Sequence, residues 1–146
     1  MAAGFTHIAS GGENTGGVTT WSSADAFVAV AGDECYLGVD NHTTGDIDCG
    51  GGGATWVLRH TQVDGSSGMA FKYVCTVGGS SAVLTFDGSA DNFTDPGYIV
   101  VRPVDLVEAA EGTPAGIGGS NGGAAAASVT VTITADAAIA GMGCFM

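Results

Sequence analysis

The chain has 146 residues, the size of one domain built on a single hydrophobic core. Apolar residues make up 45% of it and charged residues only 12%, a composition that excludes intrinsic disorder. Fifteen carboxylates against three basic residues, Arg59, Lys72 and Arg102, give a net charge of −12, which excludes nucleic acid and anionic membranes as partners because both are bound through Lys and Arg.

Residues 1–23 are small and polar with scattered apolar side chains, and read as a short N-terminal arm or an edge strand. A β-sandwich domain is expected over 24–146. Short runs rich in β-branched and aromatic residues, bounded by Gly, Asp, Asn and Ser, predict strands over 26–31, 34–39, 55–61, 69–77, 81–86, 98–104, 128–134 and 137–145. Within 69–77 one face carries Met69, Phe71, Tyr73 and Cys75, and over 128–134 Val129, Val131 and Ile133 alternate with threonines. Each of these strands should have one buried and one wet face, as antiparallel sheets do. Glycine in the connections 63–68 and 78–80 suits hairpin turns, so the three strands they join are expected to form a meander. The stretches 45–53 and 112–127 are Gly-rich and low in complexity and read as loops. Only 106–111 has a helical look. Twenty-six glycines against three prolines fit many tight connections. The expected fold is therefore all-β, a single antiparallel jelly roll or β-sandwich with a short N-terminal arm.

No apolar run approaches the roughly 20 residues of a membrane span. The first residues lack the basic and apolar regions of a signal peptide, so synthesis in the cytosol without export is expected. Cys35, Cys49, Cys75 and Cys144 are too widely spaced for a zinc or redox motif and read as buried thiols. If any pair closes in an oxidising medium, Cys35 with Cys49 is the candidate, because that bond would close a Gly- and Asp-rich loop.

Few residues suggest chemistry. Asp87, Asp91, Asn92 and Asp95 offer the hard oxygens that calcium prefers, as do Asp40, Asn41, Asp46 and Asp48, but neither group has the spacing of an EF-hand. Solvated turns explain both, and no metal or other cofactor is expected. His7, His42 and His60 are scattered, no GxSxG elbow is present, and the glycine run 50–53 lacks the Lys-Ser or Lys-Thr of a phosphate loop. An enzyme is not indicated. Trp56 sits within an apolar strand and reads as core, whereas Trp21 lies in the polar arm and is, with Phe5, the candidate anchor for a partner.

Several pieces occur in order: Gly32-Asp33 leading into Leu37 and Val39, Trp56-Val-Leu58, Phe71-Lys-Tyr73, Leu84-Thr-Phe86, Ile99-Val-Val-Arg102, a small-residue loop and the strand 129–134. Together they resemble a jelly-roll module of bacterial surface and phage structural proteins. As a small acidic domain standing alone, the chain is similar to the decoration, or cement, proteins of phage capsids. That resemblance implies a non-enzymatic virion protein made in the host cytoplasm and carried on the capsid surface. It further implies a homotrimer packed between capsomers, with the major capsid protein as partner. The alternative is a carbohydrate-binding or adhesin-type jelly-roll module of a fibre or surface structure, and a filament subunit also fits the weakly charged composition.

Overall fold

The computed structural model describes residues 4–42, 45–64, 68–89 and 92–104. None of these residues is helical. They form β1 (Gly4–Gly12), β2 (Thr20–Ser22), β3 (Glu34–Asp40), β4 (Asp48–Gly50), β5 (Thr55–Asp64), β6 (Gly68–Val77), β7 (Thr85–Asp87) and β8 (Thr94–Val104). Five strands make one sheet in the order β1-β8-β3-β6-β5, and three make a second in the order β2-β7-β4. Every pairing is antiparallel. The fold is an all-β sandwich in which β1 pairs with β8, β2 with β7 and β3 with β6, and β4 lies against β5.

The alternation in β6 does what its pattern demands. Met69, Phe71, Tyr73 and Cys75 are buried, Ala70 and Lys72 between them are only partly covered, and Val74 on the opposite face is buried as well. Cys35, Leu37 and Val39 of β3 and Tyr98 and Val100 of β8 extend the same buried face. Trp21, Phe86, Leu84 and Ile47 close the core from the side of the small sheet. The Tyr73 hydroxyl donates to the Ile47 carbonyl, which satisfies a buried phenol across the two layers.

Several expectations need correction. Of the two alternatives for residues 1–23, the edge strand holds and the arm does not for residues 4–12 and 20–22: β1 stands at one edge of the large sheet and β2 at one edge of the small one. The meander ends after β6. Its third expected strand, 81–86, crosses instead to the other sheet, meeting Phe27 at Ala82 and becoming β7 only at Thr85. The segment 26–31 forms no strand: it joins 79–82 through the Phe27–Ala82 bridge and the Gly79 amide on the Ala29 carbonyl. β2 and β4 were not expected, because three-residue strands are too short to show a period. The expected strands 128–134 and 137–145, the loop 112–127, the helical stretch 106–111 and Cys144 lie outside the described residues.

The glycine run that sequence marks as a loop is a close crossing. Gly51 and Gly52 have φ of +144° and +60°. A Cβ on Gly51 would sit 2.3 Å from the Val83 carbonyl oxygen, and one on Gly52 2.3 Å from that of Ser80. The β4–β5 connection therefore passes against the backbone of residues 80–84 with no room for a side chain. Gly52→Ala is expected to cost about 2–4 kcal/mol, from the left-handed conformation and the backbone clash together, read as a lower urea midpoint with unchanged slope.

Burial also sets the response to alkali. Burial raises the pKa of Tyr73, with further upward contributions from Cys49 and Cys35. Burial likewise pushes up Cys75, aided by Asp33, and Tyr98. All three groups are neutral when protonated. Once the pH passes about 8.5 for a thiol and about 10 for a phenol, the unfolded chain loses these protons before the native one. The native state then binds more protons, and stability falls as pH rises. The contribution is intact below about pH 8.5 and declines above it. The urea midpoint should be lower at about pH 10.5 than at about pH 8, with a shallower fall in Tyr73→Phe.

Candidate interaction surface

Because side chains alternate along a strand, the face of the large sheet opposite the core is fixed by register. On it Val57, Val74, Glu34, Val101 and His7 stand side by side across β5, β6, β3, β8 and β1. Two residues along β3 lies a second row of His60, Lys72, Tyr36, Ile99 and Ser10. Phe5, opposite Pro103, adds a 39% exposed ring at one corner.

The outer face of a two-layer sandwich ordinarily carries polar side chains. Here it carries Val57, Val74, Tyr36, Ile99 and Val101, of which Val57 is exposed, Tyr36, Ile99 and Val101 are half-buried and Val74 is buried. Its one carboxylate in these two rows, Glu34, lies 3.2 Å from Lys72 and accepts a hydrogen bond from the Tyr36 hydroxyl. The Lys72 ammonium also stands 5.8 Å from the centre of the Tyr36 ring. The two rows are thus close to neutral in a chain of net charge −12.

Asp25, Asp46, Asp48 and Asp87, all exposed, lie on the small sheet or its connections, while the strands of the large sheet carry Arg59, Lys72 and Arg102 together with Glu34, Asp40, Asp64 and Asp95.

The anchor expected at Trp21 is overturned. Its ring is 9% exposed, stacks on Phe86 at 5.7 Å and meets Tyr98 edge-on at 5.8 Å. The indole N–H donates to Glu13 at 3.0 Å, so a residue that looks polar by its neighbours is core by its cross-strand partner. Trp56 is buried to the same degree. Of the two candidate anchors only Phe5 remains accessible.

The calcium candidates are not gathered into a site. Asp87 accepts the Ser89 amide at 2.8 Å and so caps a local turn, while Asp95 accepts the Thr15 amide at 3.0 Å from a distant part of the chain. Asp91 lies outside the described residues. Asp40 likewise accepts the Asn41 amide, and Asp46 the Thr61 hydroxyl. Among the described residues no group of three or more His, Cys, Asp or Glu side chains is placed to hold a metal. Cys35, Cys49 and Cys75 are thiols, with no disulfide between Cys35 and Cys49. His7 bonds Ser10, and His42 is buried against Phe71 and Phe93 with no partner for its Nε2.

Sequence reasoning missed the outer face. Its signal was present in runs such as Tyr73-Val-Cys75 and Ile99-Val-Val101, which are apolar at consecutive positions and so offer apolar side chains to both faces. It also missed an ion pair. The Asp33 carboxylate, fully buried, receives Arg102 Nε at 2.7 Å and Nη2 at 2.9 Å, along with the Val30 amide.

Compared with family models, curated proteins and solved structures, the chain matches none.

Proposed function

We propose that this protein is a non-enzymatic structural component of a bacteriophage virion, a capsid decoration or cement protein that stabilises the shell by packing between capsomers. The observation that carries this reading is the apolar, nearly neutral outer face of the five-stranded sheet, a surface suited to lie against protein rather than water. The nesting of β1 with β8, β2 with β7 and β3 with β6 is the pairing of a rolled hairpin, and it supports the jelly-roll character of the resemblance.

The mechanism is mechanical. A domain bound across a capsomer junction buries area that must be exposed again before the shell can part, so each bound copy adds to the work of rupture. A rigid two-layer sandwich suits that task because its core does not rearrange on binding. The carbohydrate-binding alternative calls for an exposed aromatic platform, and Trp21 and Trp56 are each only 9% exposed.

Purified protein added to phage shells stripped of decoration should bind at saturable stoichiometry and raise the temperature at which the shells rupture. Absence of binding, together with absence of the chain from purified virions, would sink the reading.

A further inference from the structure

We infer that the open side of the sandwich between β1 and β2 is a receptor for a cationic side chain, the ammonium of a lysine carried on an extended segment of a partner protein. The inference rests on the proposed function only for the partner being a protein, and its chemistry comes from the cleft.

β1 is an edge strand of the large sheet and β2 an edge strand of the small one. A cleft of about 400 Å³ lies between them, with Ser10 to Glu13 along one wall and Trp21, Ser22 and Ala24 along the other. That size falls within the range of about 300–1,000 Å³ of small-ligand sites. Of the lining residues only Trp21 is buried; the others are exposed, so the cleft is open to solvent.

The charge at the cleft selects a cation. Glu13 holds one carboxylate oxygen, Oε2, against the Trp21 indole N–H at 3.0 Å, and among the described bonds its Oε1 carries none. The indole therefore orients the carboxylate before a ligand arrives, which reduces the ordering that binding requires. No lysine or arginine lines the cleft. Lys72 is engaged by Glu34 and Arg102 by Asp33, and Arg59 stands on β5 at the far edge of the sheet. Asp25, exposed, follows Ala24 directly, and the whole chain carries −12, so the field around the cleft draws cations.

The walls suit a residue within a chain better than a free amine. The Glu13 amide donates to Pro96 and the Ser23 amide to Leu84. Successive peptide groups of a strand point to opposite sides, so the carbonyls of Gly12 and Ser22 turn away from β8 and β7 toward the open side. Gly11 and Gly12 leave that stretch of wall as bare backbone. A free strand edge offers amides and carbonyls alike, which an extended segment meets with its own main chain. Its lysine can then lay the methylene stem along Trp21 and Ala24 and bring the ammonium to Glu13.

The isotope-labelled full chain, followed at the Trp21 indole N–H resonance, should shift saturably with Nα-acetyl-lysine N-methylamide. The norleucine counterpart, which keeps the stem without the charge, should leave that resonance in place. Glu13→Gln, whose amide oxygen can still accept the indole N–H, should weaken binding about fivefold at low salt with an unchanged melting temperature, and added salt should shrink that difference. n-Butylammonium should bind more weakly than the lysine amide, because it brings no main chain to the strand edges. Absence of a saturable shift overturns the inference, as does an equal response to the norleucine amide or unweakened binding in Glu13→Gln. So does n-butylammonium binding as tightly as the lysine amide, which would assign the cleft to free amines. A chain that binds the lysine amide but ignores phage shells leaves this inference standing and removes the cement reading, and a chain that binds shells with a silent cleft does the reverse.

Discussion

Replacing Arg102 with leucine should destabilise the protein by about 3 kcal/mol, although Arg102 lies at the rim of the sandwich and reads as a surface residue. The reason lies in its partner. Asp33 is fully buried, and its two carboxylate oxygens take Nε and Nη2 of Arg102 in a two-pronged bond. Without the guanidinium only the Val30 amide remains on that carboxylate among the described bonds, and a buried charge left in that state typically costs about 3–5 kcal/mol. The lower end applies because the Arg102 side chain keeps 36% of its surface in solvent. The pair also joins distant pieces of chain. Arg102 comes from β8, Asp33 immediately precedes β3, and Arg102 Nη2 reaches the Val28 carbonyl at 3.3 Å. Urea unfolding of Arg102→Leu, Asp33→Asn and the double variant should show strong coupling, with the double variant more stable than Arg102→Leu alone. Additive losses would mean that the two side chains act independently.

That pair illustrates which parts of the structure the sequence discloses. Gly32-Asp33 and Arg102 are legible as separate landmarks, but nothing in their spacing reveals that 69 residues of chain separate two halves of one contact. Local periodicity carried further. It placed β3, β5, β6 and β8 to within a few residues, since long strands with one apolar face repeat visibly. It failed at β2 and β4, three residues each, and at the crossing after β6, where the glycines at 78–79 look like a hairpin turn. In the structure the chain there hydrogen-bonds to Ala29 and Gly52 instead of turning back. The outer face was hidden for a related reason. A strand apolar on both sides, such as Ile99 to Val101, reads simply as a good strand, and only register shows which residues share a surface.

Trp21→Ala is the second substitution expected to have a large effect, and it separates the anchor reading from the core reading. An anchor waiting for a partner would be nearly silent in the isolated protein. The structure instead puts Trp21 opposite Phe86 in the β2–β7 pairing, with Tyr98 of the other sheet against both rings. The three aromatics tie the layers together, and removing a buried indole costs about 3–5 kcal/mol through lost burial and the cavity left behind. β2 has little else to hold it: it is three residues long, and just beyond it Ser23 exchanges hydrogen bonds with Leu84. Trp21→Phe keeps a ring on Phe86 but loses the bond to Glu13, so it should cost less, about 1–2 kcal/mol. Phe5→Ala is the matched control. With 39% of its surface exposed on an edge strand, Phe5 should contribute less than about 1 kcal/mol to folding. Thermal melts of the three variants should therefore rank Trp21→Ala far below Trp21→Phe, with Phe5→Ala near the parent. Equal midpoints for Trp21→Ala and Phe5→Ala would return Trp21 to the surface and undo the aromatic bridge between the sheets.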